Sequence, residues 1–478
     1  MKRPRSFARG IQAGITGLLC VALAVPCPVR AGGPLIVGGP SFGTDGLAFT
    51  WDMSSPIAYR VDAGPLAVNP SGVVVVPNSQ AINDVQNMFQ AWENVATANI
   101  GYTNAGAIQN VPPDFNDGDV STVTEFDAVE ADCDAGNQSP IIFDANGSLF
   151  DALFGDPGVI GFASPCKLDG ATGRIVSGMA VLNGIFRDGV DSGLNLDLTA
   201  AEFNEVFTHE FGHFSGLDHA QINVSVLSLS GSCPTDLLAG LPLMFPYLQC
   251  QARTPAGLPI LAPDDVAWIS QLYPETANMP PAQRPFLNEY GFIKGTIFFS
   301  DGITQAQGVN VIARRVSDGN PANGDETQRI AFSVASGYRF TGLPGQNVTG
   351  DNPGSRRGSR NAQLIGEYEI PVTPGSYTVE VESVDSGFTA DSGVGPLDLP
   401  IPNPGLDEFW NSGESATDIP ATRETITVAA GATVSGMDII LNGTPPRFDA
   451  FESAELRMAE ELPRWLRREK TARELVAA

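Results

Sequence analysis

Three histidines are the whole complement of this 478-residue chain, and they fall within eleven positions. The stretch reads His209-Glu210-Phe211-Gly212-His213-Phe214-Ser215-Gly216-Leu217-Asp218-His219. Residues four apart share one face of a helix, so His209 and His213 stand side by side. Gly216 permits a positive φ, which lets the chain leave the helix and turn back toward that face. A fold that builds this stretch therefore gathers three imidazoles, and imidazole is the commonest metal ligand. Three protein donors leave a fourth position open for water, the pattern of a catalytic zinc rather than a structural one. Glu210, beside the first histidine, is placed to act as general base toward that water. Satisfied surface histidines on an ordinary helix would explain neither the clustering nor the glycine.

The surrounding sequence supplies the helix. Thr199-Ala200-Ala201-Glu202 matches a capping box, with Thr199 as N-cap and Glu202 at the third helical position. The helix continues through Phe203, Val206 and Phe207 into the histidines, and Gly216 ends it. Upstream, Ile57 to Asp62 reads as a strand. Pro77-Asn78-Ser79 opens a helix with Ala81, Val85, Met88, Phe89, Trp92 and Val95 at helical spacing. Pro140 to Asp144 and Gly178 to Gly184 read as buried strands. Ala262 to Pro274 reads as a closing helix, with Pro263 near its start and Asp264 and Asp265 complementing its dipole.

Residues 276–290, with Pro280-Pro281, read as a linker. Beyond Gly291 the pattern turns to β. Val309 to Ala313 alternates, Tyr368 to Val381 reads as strand, Pro-Gly turn and strand, and Thr425 to Leu441 reads as another hairpin. A polar loop spans Asp318 to Asn361. Residues 444–478 form a charged tail of helical pattern, with Phe451, Leu456, Met458, Leu462, Trp465 and Leu466 as an apolar stripe. That stripe either docks on the protein or meets a membrane or partner.

The chain is too long for one comfortable core, and 52 glycines with 37 prolines point to many turns. A net charge of −27 excludes nucleic acid as a partner, because a polyanion is repelled. Lys2, Arg3, Arg5 and Arg9, the apolar run Ile11 to Val25 and the small-residue site at Val29-Arg30-Ala31 read as an export signal over 1–31. No other segment is long and apolar enough to span a bilayer. Removing the signal leaves Cys133, Cys166, Cys233 and Cys250. Four cysteines allow three pairings. The sequence-local one, Cys133 to Cys166 and Cys233 to Cys250, is preferred over the others and over free or metal-bound thiols.

The stretch HEFGHFSGLDH resembles the extended zinc motif of the metzincin metallopeptidases, and most nearly that of the matrixins. The similarity covers roughly residues 45–275. It extends to the strand at 57–62, the helix carrying Ala91-Trp92, the strand Val181 to Gly184 and the helix Ala262 to Pro274. Leu243-Met244-Phe245-Pro246-Tyr247 is similar to the family's Met-turn, which implies Met244 beneath the zinc ligands. The role of Tyr247 stays open, since its spacing from Met244 does not match the tyrosine of some metzincins. The chain lacks the matrixins' inhibitory propeptide cysteine and their propeller-like repeat. Asp144, Asn146, Ser148 and Asp151 resemble an oxygen-ligand calcium loop without its terminal bidentate Glu, and the same residues also make a good turn. Residues 291–443 resemble a carboxypeptidase-regulatory-like, transthyretin-like β-sandwich on Gly295-Thr296-Ile297, Gly308 to Ala313 and Pro374 to Val379.

The expected fold is α+β. A metzincin domain with a twisted mixed sheet at 32–275 precedes an all-β sandwich. The expected function is that of a secreted or periplasmic zinc endopeptidase. It acts on protein or peptide substrates, with His209, His213 and His219 on Zn2+, Glu210 as base, and Ca2+ as a structural ion. The alternative is a secreted surface protein whose zinc domain is vestigial and whose sandwich serves adhesion.

Overall fold

The structure, a computed structural model, describes residues 32–39, 43–109, 117–155, 158–192, 195–229, 232–316, 328–340, 358–359, 361–384 and 408–446. The expected export signal, most of the polar loop at 318–361 and the tail beyond residue 446 lie outside the described residues. The described chain is mixed α/β, with several sheets and few helices. No described helix is long and apolar enough to cross a membrane.

The first half runs through β1 (Thr50–Trp51), β2 (Ile57–Val61), a small ribbon of β3 (Ala67–Val68) and β4 (Val74–Val76), α1 (Asn78–Glu93), β5 (Tyr102–Ala107), α2 (Val123–Ala135), β6 (Pro140–Asp144), α3 (Ser148–Phe154), β7 (Gly161–Asp169), β8 (Arg174–Asn183) and α4 (Ala200–Phe214). The main sheet has the order β1-β8-β6-β2-β5 with parallel pairing throughout, and β7 pairs antiparallel with β8. β6 is buried at all five positions, as an unalternating apolar strand inside a parallel sheet should be. Its side chains divide the layers. Ile141 and Phe143 join Ala180 and Leu182 in the core under α1 and α4. Ile142 joins Met179 and Val181 under α2 and α3, with Phe126, Val129 and Phe150.

The apolar stripe expected for α1 faces the sheet, with Ala81, Val85, Phe89 and Trp92 buried. Phe89 stacks on Phe211 of α4 at 3.8 Å between ring centres and also meets Tyr59 and Tyr102. Trp92 Nε1 donates to Thr208 O at 2.9 Å, which fixes α4 lengthwise against α1. Burying each such side chain contributes on the order of 1.5–3 kcal/mol. The helix that carries the histidines is therefore held by buried aromatic contacts with α1.

The second half adds α5 (Thr235–Gly240), α6 (Pro263–Leu272), α7 (Phe286–Glu289), β9 (Gly291–Phe298), β10 (Val309–Val316), β11 (Ala331–Ala335), β12 (Glu367–Val372), β13 (Gly375–Ser383), β14 (Glu408–Phe409), β15 (Ile426–Val428), β16 (Thr433–Ser435) and β17 (Ile439–Ile440). One sheet runs β11-β10-β13-β14, with β15 also on β13. The other runs β12-β9-β16, with β17 also on β9. Both expected hairpins are corrected here. β12 pairs with β9 while β13 pairs with β10, so the Pro374-Gly375 turn carries the chain from one sheet to the other. Likewise β15 pairs with β13 and β16 pairs in parallel with β9. A strand-turn-strand pattern fixes two strands and a reversal, but not whether the reversal stays within one ladder.

The two halves share one core cluster, which runs from Leu35 to Leu441. The segment read as a linker is packed into it. Arg284 N donates to Ala96 O, Phe286 N donates to Glu275 O, and the buried Phe286 and Tyr290 rings stack. β10, read as alternating, is buried from Val309 through Ala313. The reason is tertiary: Ile312 and Ala331 pack on Ile222, so the loop following the third histidine covers the other face of that sheet. Asn310 Nδ2 donates to Gln221 O at 2.7 Å, and Gln221 Nε2 donates to Glu382 Oε1 at 2.6 Å.

Candidate functional site

α4 begins as its sequence requires. Thr199 Oγ1 accepts from Glu202 N at 3.3 Å and Glu202 Oε2 accepts from Thr199 N at 2.9 Å. The helix ends at Phe214, and Gly216 takes φ +93°, the left-handed turn expected of it. The chain folds back, so that Leu217 N donates to Gly212 O and Leu217 O meets His213 Nδ1 at 2.9 Å. His219 then returns to the helix face. His213 Nε2 lies 3.1 Å from His209 Nε2 and 3.1 Å from His219 Nε2.

These short distances are informative. His209 Nδ1 faces Leu243 O at 2.7 Å, and a carbonyl only accepts, so the Nδ1 atoms of His209 and His213 carry the protons. Their Nε2 atoms then present lone pairs to each other. Two lone pairs at that spacing repel unless a cation lies between them, and imidazoles anchored through Nδ1 are the usual donors to a metal ion. Burial lowers the His209 pKa to about 4, and burial together with His209 lowers that of His213 to about 3. His219 is held well below its ordinary value by burial and by both neighbours. All three rings are thus kept neutral, the form that binds metal. The described residues fit a metal ion at this point.

Glu210 is 2 % exposed, and desolvation pushes its carboxyl up to about 8. It packs on Gly161 at the start of β7, where a Cβ would come within 3.0 Å of Glu210 Cγ. Glycine there gives the carboxylate its room.

Met244 lies beneath the histidine helix. A Cβ on Gly212 would overlap Met244 Sδ, so this glycine inside the motif is required by packing. The chain at Leu243-Met244 is held by Asp265. Its Oδ2 accepts from Leu243 N at 2.8 Å and from Ala262 N at 2.7 Å, and its Oδ1 accepts from Met244 N at 3.1 Å. Leu243 O in turn meets His209, so one buried carboxylate positions a histidine through a single peptide unit. Asp264 and Asp265 stand in the first turn of α6, as the dipole reading expects, and both are also buried, with Asp264 Oδ1 accepting from Ser333 N of β11 at 2.8 Å. Helical pattern reveals the contact to Ala262, three residues off, but not those to Leu243, Met244 and Ser333, which lie 21 to 69 residues away. Gly161, Gly212 and Asp265 are the residues of the site that the sequence reading missed.

The chain just after the expected cleavage point lies along the third-histidine loop. Gly32 N donates to His219 O, Asp218 N to Gly33 O and Leu35 N to Gly216 O. Both preferred cysteine pairs are formed, Cys133 with Cys166 and Cys233 with Cys250. The second closes a separation of 17 residues around α5, beside a small cavity of about 60 Å3 that borders His209 and includes Leu238, Leu243 and Tyr247. Replacing Cys233 and Cys250 by Ser is expected to cost about 3 kcal/mol in denaturant unfolding, as chain entropy predicts for such a loop. An unchanged midpoint would show that packing alone holds this wall. A larger hollow of about 690 Å3, lined by Arg60 and Arg174, lies at the opposite ends of the strands and includes none of the histidines.

The structure does not add Asp144, Asn146, Ser148 and Asp151 to the histidine site. Asp144 Oδ2 accepts from Phe150 N at 2.8 Å and Asn146 Oδ1 accepts from Ser148 N at 3.0 Å, so these oxygens cap the start of α3. Ser148 and Asp151 are exposed.

No protein-family model matches this chain, and no curated protein matches it.

Proposed function

We propose that the chain is a secreted or periplasmic zinc endopeptidase of the metzincin type, similar to the matrixins, with a β-sandwich module in its second half. The observation that carries this reading is the convergence of three buried, neutral imidazoles at 3.1 Å, with Glu210 buried alongside. His209, His213 and His219 would hold the zinc. When bound, zinc supplies a Lewis acid that polarises a carbonyl and acidifies water. Leu243 O and Leu217 O keep two of the rings turned inward by taking their Nδ1 protons. Glu210 receives a proton from the attacking water and delivers it to the leaving nitrogen. Its burial excludes bulk solvent from that exchange. Met244 and Asp265 hold the floor on which His209 rests.

The test joins metal analysis of the purified full chain to cleavage profiling on a peptide library. The expected result is one zinc per chain, cleavage of internal peptide bonds, loss of cleavage with chelator and recovery on adding zinc. A zinc-loaded chain that cleaves no member of the library would overturn the peptidase reading and favour a binding protein.

A further inference from the structure

A second cluster of ligand-type side chains lies far along the chain from the histidines. One carboxylate oxygen from each of Glu408, Glu414 and Asp418 falls within 4.8 Å of the others. Backbone and amide donors hold them there. Glu414 Oε1 accepts from Asn411 N at 2.8 Å and its Oε2 from Ile440 N at 3.0 Å. Asp418 Oδ2 accepts from Asn411 Nδ2 and Ser415 N, and its Oδ1 from Ser415 Oγ. Glu408 Oε2 accepts from Asn442 N at 3.2 Å.

Two oxygens are left over among the described residues. Glu408 is 1 % exposed, and its Oε1 meets no hydrogen-bond partner among them. Asn442 bridges the cluster, with its backbone N on Glu408 and its Nδ2 on Asp418 O at 3.0 Å, and its buried Oδ1 meets no partner among them either. Among the described residues no Lys or Arg forms an ion pair with any of the three carboxylates. Arg423 lies instead over the Phe409 ring. A buried acceptor with no donor is costly, the more so when it is charged, so the arrangement calls for a cation. Burial, with added repulsion from neighbouring carboxylates, pushes Glu408 and Glu414 up to about 7, the expected response of like charges lacking a counter-ion.

The donor set is all oxygen, which selects a hard cation over zinc or copper. Calcium accepts six to eight oxygens in irregular geometry, whereas magnesium requires a near-perfect octahedron and retains water. We propose that Glu408, Glu414 and Asp418, bridged by the nitrogens of Asn442, form a structural calcium site. Glu408 belongs to β14 on the β13 sheet, while Ile440 and Asn442 lie in and after β17 on the β9 sheet. The ion therefore ties the two sheets of the second half together. This site does not depend on the peptidase reading.

The test uses the full chain, stripped of divalent ions and then reloaded with zinc. Terbium luminescence is expected to saturate and to be displaced by calcium but not by equal magnesium, and millimolar calcium is expected to raise the Tm by several degrees. Glu414→Gln and Asp418→Asn, at half-buried positions, are expected to weaken binding at least about tenfold, following ligand charge count. Each variant loses one acceptor oxygen as well as one repulsive charge, so the effect of calcium is read as the rise in Tm of each variant over its own calcium-free state. Asp144→Asn should bind as the parent does. Absence of saturable, calcium-displaceable binding in the parent chain overturns the proposal. So does parent-like binding in both Glu414→Gln and Asp418→Asn, and so does loss of binding in Asp144→Asn alone.

Discussion

Glu210→Gln is expected to retain zinc at the parent stoichiometry while peptide hydrolysis falls by about 10²–10⁴-fold, the usual contribution of a positioned general base. The two halves of this expectation come from different atoms. Metal retention rests on three imidazoles, two of which, His209 and His213, are held through Nδ1 by Leu243 O and Leu217 O, contacts that do not involve Glu210. Loss of turnover rests on the carboxylate alone, since glutamine fills the same space against Gly161 but cannot take a proton. Metal analysis beside initial rates on a cleaved peptide checks both. Undiminished turnover would remove Glu210 from the mechanism. Loss of zinc in the variant would instead make Glu210 part of the metal's support.

Asp265→Ala is expected to be the most damaging single change away from the histidines. The substitution leaves Leu243 N, Met244 N and Ala262 N without their acceptor inside the core. Each buried donor so abandoned costs about 1–3 kcal/mol, so the variant is expected to lose about 3 kcal/mol or more in denaturant unfolding. Because Leu243 also supplies the carbonyl that orients His209, zinc affinity is expected to fall by about 10–100-fold in whatever fraction stays folded. Asp265→Asn keeps one acceptor oxygen and should lie between the parent and the alanine variant in both measurements. A parent-like unfolding curve for Asp265→Ala would mean that packing of Met244 against Gly212 is enough to hold the floor.

The candidate site was legible where its logic is local. The spacing of His209, His213 and His219, the Thr199 capping box and the left-handed Gly216 each act over steps of three to six residues, and each appears as read. The two disulfides also followed the sequence-local pairing. The reading stopped short where a residue has a second structural role that a distant partner supplies. Asp264 and Asp265 stand in the first turn of α6 as read, and are buried acceptors as well because β11 and the Leu243 turn arrive there. At Asp144 the sequence offered a turn and a calcium loop, and the turn is present, with Asp144 accepting from Phe150 N at the start of α3.

In the second half the same division is sharper. The apolar periodicity of Gly291–Phe298, Val309–Val316 and Gly375–Ser383 specifies strands without specifying ladders, since a turn such as Pro374-Gly375 serves a hairpin or a crossing between sheets equally well. Which sheet each strand joins, and how Glu408, Glu414, Asp418 and Asn442 come together, was decided by packing across the whole molecule. What this sequence determined by itself is the set of groups whose neighbours lie within a helical turn or a tight loop, because backbone geometry alone dictates those contacts. The groups whose neighbours lie tens of residues away had to wait for the shared core, because burial assigns their partners and burial belongs to the tertiary structure.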